Sequence, residues 1–195
     1  MLIAPLKTFN LQAMVDACRA DWDRDHVRRR LVWEDSDYIT MLQHGPTEDL
    51  QFHVNQGDEI FHQIEGELHF HYLTGDGKRE LLVVGAGETF LLPRGVPHSP
   101  RRPPGSWTLV VERQRRPDEA DGWLWLCEGC GERLYETQVK SGGPREDAPG
   151  AAPPWIAAAR ARLQELGSCP RCGQAIALTW NASRAAPVAA GQDGA

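Results

Sequence analysis

The sequence contains no apolar run that approaches the ~18 residues of a membrane-spanning helix, and its N-terminus, MLIAPLKTFN, lacks the charged and long apolar regions of a signal peptide. It also lacks an excess of basic residues, since 21 Lys and Arg stand against 27 Asp and Glu, for a net charge of −6. Phosphate backbones are bound by clustered Lys and Arg, so this balance argues against a general nucleic-acid-binding protein. No internal repeat and no basic helix-turn-helix segment is visible. We therefore expect a cytoplasmic protein that binds neither membranes nor nucleic acid.

Length and composition indicate one core-bearing domain with a small appendage. The chain has 195 residues, of which 41% are hydrophobic and 25% charged, which is ordinary for a globular protein. Four of its five cysteines form the pairs Cys127/Cys130 and Cys169/Cys172. In a reducing compartment such pairs indicate metal binding before disulfides. The fifth, Cys18, lies on an apolar helix face and is expected in the core.

Changes in sequence pattern divide the chain into regions. Residues 9–30 carry apolar side chains at helical spacing, whereas residues 31–113 alternate short strands with Gly and Pro turns, which is typical of an all-β barrel or sandwich. A short helix, PWIAAARARLQELG, is predicted between the two cysteine pairs, with Gly167 as its end. The predicted regions are an N-terminal helical segment at 1–30, a barrel at 31–116, a cysteine-rich metal-binding region at 117–180 and a disordered tail at 181–195.

The segment HVNQGDEIFHQIEG concentrates potential metal ligands. Side chains along a strand alternate between its faces, so Glu59 faces one side and His62 the other. His53 ends the preceding strand, and a turn at 55–57 brings it to the same interior as Glu59. A third candidate, His98, follows a Pro-Gly turn in PRGVPHSP, where prolines restrict the backbone on both sides.

Two histidines and one carboxylate on a β scaffold form a facial triad, which leaves one face of an octahedral metal open and suits non-haem Fe(II) with oxygen chemistry. The spacing of His53, Glu59 and His98 alone leaves open an ordinary barrel interior without a metal. His69 and His71 share one face of ELHFHYL and compete as ligands. They alternate with apolar side chains, so solvated histidines are the better interpretation.

Two segments resemble the motifs of the cupin superfamily, whose fold is a small jelly-roll β-barrel. One is the H-x5-E-x6-G pattern that begins at His53, and the other is the G-x5-P-x-G-x2-H pattern that ends at His98. Asn55 replaces the usual second histidine, which leaves three protein ligands. More narrowly, FLLPRGVPHSPRRP, LVVERQR and the two late Cys-x-x-Cys pairs resemble the bacterial 3-hydroxyanthranilate 3,4-dioxygenase family, over about residues 5–175. The resemblance implies a cupin barrel with an N-terminal helix and a rubredoxin-like C-terminal appendage.

The resemblance also implies an activity, with a catalytic Fe(II) held by His53, Glu59 and His98. The reaction would be an extradiol-type ring cleavage of 3-hydroxyanthranilate by O2 to 2-amino-3-carboxymuconate semialdehyde. That product is a quinolinate precursor in the kynurenine pathway and NAD biosynthesis. Arg102 would pair with the substrate carboxylate, Glu112 would contact the substrate beside it, and the protein would be a homodimer. From the residues alone, Arg102 could equally be a surface arginine, and Glu112 a strand-end carboxylate in water.

One position departs from the family pattern. Where the family has an arginine four residues before the first ligand histidine, this chain has Asp49, and a reversed charge cannot do the same work. Two alternatives therefore stay open. One is a homologous dioxygenase acting on a related o-aminophenol in secondary metabolism, and the other is a non-catalytic cupin binding or sensor protein.

The two cysteine pairs predict a second metal site. Residues 131–168 separate them, a longer insertion than the ~15–20 residues of a compact zinc ribbon. Gly131 and Gly173 favour the tight turns that aim both thiolates of each pair at one ion. Four thiolates suit Zn or rubredoxin-like iron, and the family resemblance implies iron. We expect a structural site that clamps the C-terminal segment, with redox couples or unliganded thiols as the alternatives.

Overall fold

The computed structural model describes residues 8–25, 29–33, 36–47, 50–140 and 153–179. The helices and strands are, in chain order, α1 (Leu11–Asp25), β1 (Arg29–Trp33), β2 (Tyr38–His44), β3 (Phe52–Val54), β4 (Glu59–Glu65), β5 (Glu67–Leu73), β6 (Arg79–Gly85), β7 (Thr89–Leu92), β8 (His98–Arg101), β9 (Trp107–Arg113), β10 (Ala120–Leu126), β11 (Arg133–Lys140) and α2 (Pro154–Leu166). Asp49 and the predicted disordered tail at 181–195 lie outside the described residues. Within the described ranges, no helix is long and apolar enough to cross a bilayer.

Two antiparallel sheets face each other, which confirms the predicted all-β barrel. The first has the order β1-β2-β9-β4-β7, and the second has the order β11-β10-β3-β8-β5-β6. Between them lies an apolar core in which Phe61, Phe70 and Val110 are almost fully buried. Because successive side chains of a strand point to opposite faces, each inner face contributes every second residue to this core.

Strand β4 shows the alternation that the sequence predicts. Glu59, Phe61 and Gln63 are buried in the interior, whereas Ile60 is 43% exposed on the outer face. His62 also faces outwards, where its Nδ1 lies 2.7 Å from Thr89 Oγ1. The prediction that His62 points away from the interior is therefore confirmed.

The N-terminal region differs from the sequence prediction at its end. Helix α1 ends at Asp25, so the helical pattern of residues 9–30 predicts too long a helix, and the run VWEDSDYITML, whose pattern predicts one strand over 32–42, contributes to two strands, β1 and β2. The Ser36 hydroxyl accepts a hydrogen bond from the Tyr38 backbone N–H at the start of β2, a local turn that the alternation pattern concealed.

Helix α1 covers one end of the first sheet. Val15 and Cys18 are buried against Leu42 and Trp107, so the expectation that Cys18 belongs to the core is confirmed. Helix α1 therefore shields Leu42 and Trp107 of the first sheet from water.

The cysteine-rich region is continuous with the barrel. Strand β10 pairs with β3, with Trp123 opposite His53, and forms a hairpin with β11 whose turn carries the first cysteine pair. Helix α2 buries Ala159 and Leu163 against the tryptophans of β10. Trp123 of this C-terminal segment therefore contacts both the ring of His53 and Trp155 of helix α2.

Candidate active site and metal centres

Three potential ligands meet inside the barrel from three strands. His53 on β3, Glu59 on β4 and His98 on β8 place their ligand atoms within 4.8 Å of one another. Glu59 and His98 are 3% and 2% exposed, and the His53 side chain is 12% exposed. The two histidines are register partners in the second sheet, and Glu59 faces them from the first sheet.

The ring of His98 is oriented for a metal ligand. Its Nδ1 lies 3.0 Å from the Val96 carbonyl, so Nδ1–H donates to that oxygen and the lone pair of Nε2 faces Glu59. Burial lowers the pKa of His98 to about 4, so the imidazole is neutral at pH 7. Phe70 stacks on it with ring centroids 5.4 Å apart, which restricts its rotation.

Glu59 supplies a test of whether this group suits a cation. Its Oε1 makes no hydrogen bond within the described part of the chain, although Nε2 of His98 lies 3.4 Å away. Burial raises the pKa of Glu59, because an isolated carboxylate is costly in an apolar interior. A divalent cation would remove that cost, and two imidazole nitrogens with one carboxylate oxygen are suitable ligands for non-haem iron.

His53 is held by two residues of β10. Its Nε2 lies 3.0 Å from Asp121 Oδ2, and Trp123 stacks on its ring with centroids 4.4 Å apart. Asp121 is fully buried, which would raise its pKa, but hydrogen bonds from His53 and from Arg115 keep that pKa far below its usual range. Asp121 is therefore a carboxylate that orients the ring of His53.

Glu112 is buried beside the ligand group as the register partner of Glu59 across β4 and β9. Asn55 Nδ2 and Arg115 Nη2 both donate to its Oε2, at 2.5 Å and 3.0 Å. Burial raises the pKa of Glu112, and the charge of Glu59 raises it further. Its exposed fraction of 7% contradicts the alternative of a strand-end carboxylate in water.

Arg102 is also buried, at 4% exposure, which contradicts the surface-arginine alternative. Its Nε donates to Thr108 Oγ1 at 3.0 Å and its Nη1 to the Pro100 carbonyl at 3.3 Å, while Nη2 has no partner within the described residues. Burial lowers its pKa to about 9, so the guanidinium stays charged at pH 7. One buried, charged donor is thus available for an anionic group.

Three residues of this neighbourhood were missed by the sequence interpretation. Gln63 accepts a hydrogen bond from Thr108 Oγ1 at 2.7 Å and supports the hydroxyl that orients Arg102. Strand parity puts Gln63 on the same face as Glu59 and could have indicated it. Asp121 and Arg115 carried no such signal, because Asp121 reaches the site through the pairing of β10 with β3, and Arg115 reaches it from the β9–β10 connection through Glu112 and Asp121.

His69 and His71, the competing ligand candidates, are less exposed to solvent than the sequence predicts. His69 and His71 lie on the outer face of β5, away from the ligand group, but the His69 side chain is only 14% exposed. Burial, together with the charges of Arg101 and Arg79, lowers the pKa of His71 to about 4. The prediction that both are solvated is wrong, because charged side chains cover this face of the sheet.

The four paired cysteines form the second group. Their Sγ atoms lie within 4.8 Å of one another, with 3.6 Å between Cys127 and Cys172 and 3.6 Å between Cys130 and Cys169. Tetrahedral bonds of ~2.3 Å to one ion require sulfur atoms ~3.8 Å apart, so the thiols fit a metal. The two turns contain Gly131 and Gly173 at φ of 73° and 75°, which a side chain would strain.

Comparison with known proteins gives a consistent result. The model of the family described as 3-hydroxyanthranilic acid dioxygenase matches residues 5–147. The chain is 36% identical to the 3-hydroxyanthranilate 3,4-dioxygenase of Bacillus cereus over 69% of this chain and 75% of that protein. It is also 36% identical to the Burkholderia cenocepacia enzyme of the same name, over 86% of this chain and 91% of that protein. A solved cupin-2 domain protein from Shewanella frigidimarina superposes with a TM-score of 0.41 and 23% identity, over 54% of this chain and 100% of that chain.

Proposed function

This chain belongs to the 3-hydroxyanthranilic acid dioxygenase family, and from that premise we propose that it is an Fe(II)-dependent enzyme that cleaves the ring of 3-hydroxyanthranilate with O2. The product would be 2-amino-3-carboxymuconate semialdehyde. The observation that carries the proposal is the buried group of His53, Glu59 and His98. A buried arginine with an available donor in the same barrel supports an aromatic acid as the substrate.

His53, Glu59 and His98 would hold the iron, which when bound supplies an open coordination face for oxygen chemistry. Arg102 would bind the substrate carboxylate through the Nη2 donor that the described residues leave available, and so fix the orientation of the ring. Thr108 holds Nε of the same guanidinium and limits its rotation.

Glu112 would hold a proton during the reaction. Both of its hydrogen-bond donors contact Oε2, so we assign Oε1 to the substrate. Its raised pKa favours uptake of the proton that a substrate hydroxyl releases. The aromatic rings of Phe61, Phe70 and Trp123 around the histidines would limit the access of water.

We assign a structural role to a second metal, iron or zinc, at Cys127, Cys130, Cys169 and Cys172. The sulfur separations support this site, since they are close to those that four thiolates take around one tetrahedral ion. The regional boundaries at residues 30, 116 and 180 and the cytoplasmic location stay predictions. Limited proteolysis and cell fractionation would check them.

A homodimer is part of the proposal. On the outer face of the first sheet, Ile60 and Leu91 are register partners and are 43% and 60% exposed. A second copy that covers this apolar pair would remove it from water. Sedimentation of the wild type as a dimer and of Leu91→Glu as a monomer is expected; a monomeric wild type would contradict this part.

The activity is tested by anaerobic loading with Fe(II), followed by 3-hydroxyanthranilate and O2. Rapid oxygen uptake with stoichiometric semialdehyde formation is the expected result. Turnover of other o-aminophenols, but not of 3-hydroxyanthranilate, would show that the substrate is a different o-aminophenol. Binding of these compounds without turnover of any of them would indicate a binding protein.

Asp49 allows a second test of substrate identity. If this residue weakens the family reaction, Asp49→Arg raises kcat/KM for 3-hydroxyanthranilate. Asp49→Asn is the matched control, because it removes the negative charge without adding a guanidinium. A fall in kcat/KM for Asp49→Arg would show that this chain uses the acidic residue.

A further inference from the structure

The turn that holds the first cysteine pair is attached to the barrel by a buried ion pair. Arg101 is 2% exposed on the outer face of β8, and its guanidinium forms a fork on Glu128, with Nη1 2.8 Å from Oε2 and Nη2 2.9 Å from Oε1. Glu128 follows Cys127 directly and lies inside the first Cys-x-x-Cys pair. Such bidentate pairs fix geometry as well as charge.

A second arginine strengthens the same attachment. Arg79 at the start of β6 donates from Nη1 to Glu128 Oε1 at 3.0 Å and from Nη2 to the Glu128 backbone carbonyl at 3.2 Å. The turn is therefore bound through its backbone as well as its side chain. Two strands of the second sheet, β6 and β8, hold the position of one turn of the cysteine centre.

Strand β8 is also the strand that builds the active site. It begins at His98 and ends at Arg101, and Arg102 follows directly. Because adjacent side chains point to opposite faces, Arg101 reaches outwards to Glu128 while Arg102 reaches inwards. A displacement of Arg101 therefore moves the backbone that carries the guanidinium of Arg102.

We propose that the four-cysteine centre positions Arg102 through the Glu128–Arg101 pair, and thereby sets the affinity for the substrate carboxylate. The inference rests on the proposed function, since it assigns the carboxylate to Arg102 and a metal to the cysteines. Loss of the metal releases the turn that carries Glu128, and loss of the Glu128 charge leaves the buried guanidinium of Arg101 without its carboxylate partner. Arg101 then has to turn towards water, and the end of β8 moves with it.

Glu128→Gln tests the proposal, with Glu132→Gln as the matched control. Glu132 lies in the same turn but pairs at 3.6 Å with Arg171 at the surface, away from β8. In the metal-loaded protein, Glu128→Gln is expected to raise KM for 3-hydroxyanthranilate by about 5- to 20-fold, the scale of ordinary coupling between sites, and to leave kcat nearly unchanged. The control is expected to change neither constant.

A substrate without the carboxylate distinguishes an effect on the position of Arg102 from a general disturbance of the barrel. With 2-aminophenol, which offers the hydroxyl and amino groups alone, Glu128→Gln and wild type are expected to have equal KM values. An equal rise in KM on both substrates would overturn the proposal, because it would indicate a disturbed barrel. The proposal would also be overturned if Glu128→Gln had the same KM for 3-hydroxyanthranilate as wild type.

Metal release supplies a readout that does not depend on the reaction. Arg101 holds the first cysteine turn through Glu128, so Arg101→Gln is expected to speed the transfer of the cysteine-bound metal to a chelator, whereas Arg133→Gln, at an exposed pair with Glu136, is not. Equal release rates in both variants would overturn the coupling. If wild type does not turn over 3-hydroxyanthranilate, the proposed function fails, and the release rates still decide whether the two regions are coupled.

Discussion

The two proposed metal centres of this protein differ in how much of the fold surrounds them. The barrel centre takes its ligands from three strands of two sheets, and two of these ligands are at most 3% exposed. The cysteine centre takes its ligands from two turns, and Cys172 is exposed. Three ligands leave an ion accessible to a substrate, whereas four thiolates enclose it.

The difference indicates what holds the ligand side chains of each centre in position. In the barrel, the core holds Glu59 and His98 in place before any ion binds, at the cost of burying a carboxylate. At the cysteines, the proposed ion would join the two turns directly, as in other small metal-dependent folds. The barrel centre is therefore preorganised, and the cysteine centre is a clamp.

The largest expected effect comes from Glu59→Gln, which removes the anionic ligand. Loss of several kcal/mol of transition-state stabilisation lowers kcat/KM by about 10³-fold or more. Metal analysis should show loss of the barrel ion and retention of the cysteine ion. Glu67→Gln, at an exposed position of β5, is the control. Retention of both ions and of activity in Glu59→Gln would exclude Glu59 as a ligand.

Asp121→Asn should have the next largest effect. The change weakens the hydrogen bond that orients His53, and such a loss lowers metal affinity about 10- to 100-fold. Anaerobic Fe(II) titration measures it, with the exposed Asp118→Asn as control. An unchanged Fe(II) affinity in Asp121→Asn would show that Asp121 contributes to the fold and not to metal binding.

Cys169→Ser tests the comparison at the cysteine centre. Loss of the clamp ion should lower Tm by about 5 °C, since an ion that binds only the native state stabilises it. The barrel ion and kcat should persist, and metal analysis with thermal unfolding checks both. A loss of kcat in proportion to cysteine-bound metal would contradict a structural role.

The smallest expected effect concerns pH and His71. Its folded-state pKa is about 4, against 6.5 for an unperturbed histidine, so the unfolded chain binds more protons between these values. The stability that neutral His71 contributes is complete above pH 6.5 and is lost as pH falls towards 4. Thermal unfolding at pH 7 and pH 5 should therefore show a smaller decrease in Tm for His71→Gln than for wild type. Equal decreases would exclude His71 as a source of acid sensitivity.

Much of the barrel could be predicted from the sequence because a strand's period of two is a local property. Parity alone placed Glu59 inwards and His62 outwards, and the structure agrees. The same rule failed for His69 and His71, because it assigns a face and cannot tell what covers that face. At His71 the neighbouring charged groups are Arg101, Arg79 and Glu128, which are joined to one another by hydrogen bonds.

What the sequence by itself determined is the set of chemical groups: two histidines and a glutamate at cupin spacing, and two cysteine pairs with glycines that permit tight turns. Only the tertiary structure decided the partners of these groups. Asp121 reaches His53 because β10 pairs with β3, and Arg101 reaches Glu128 because the cysteine turn lies on the outside of β8. Such contacts join residues distant in the chain, and they depend on the packing of whole strands, which no local spacing records.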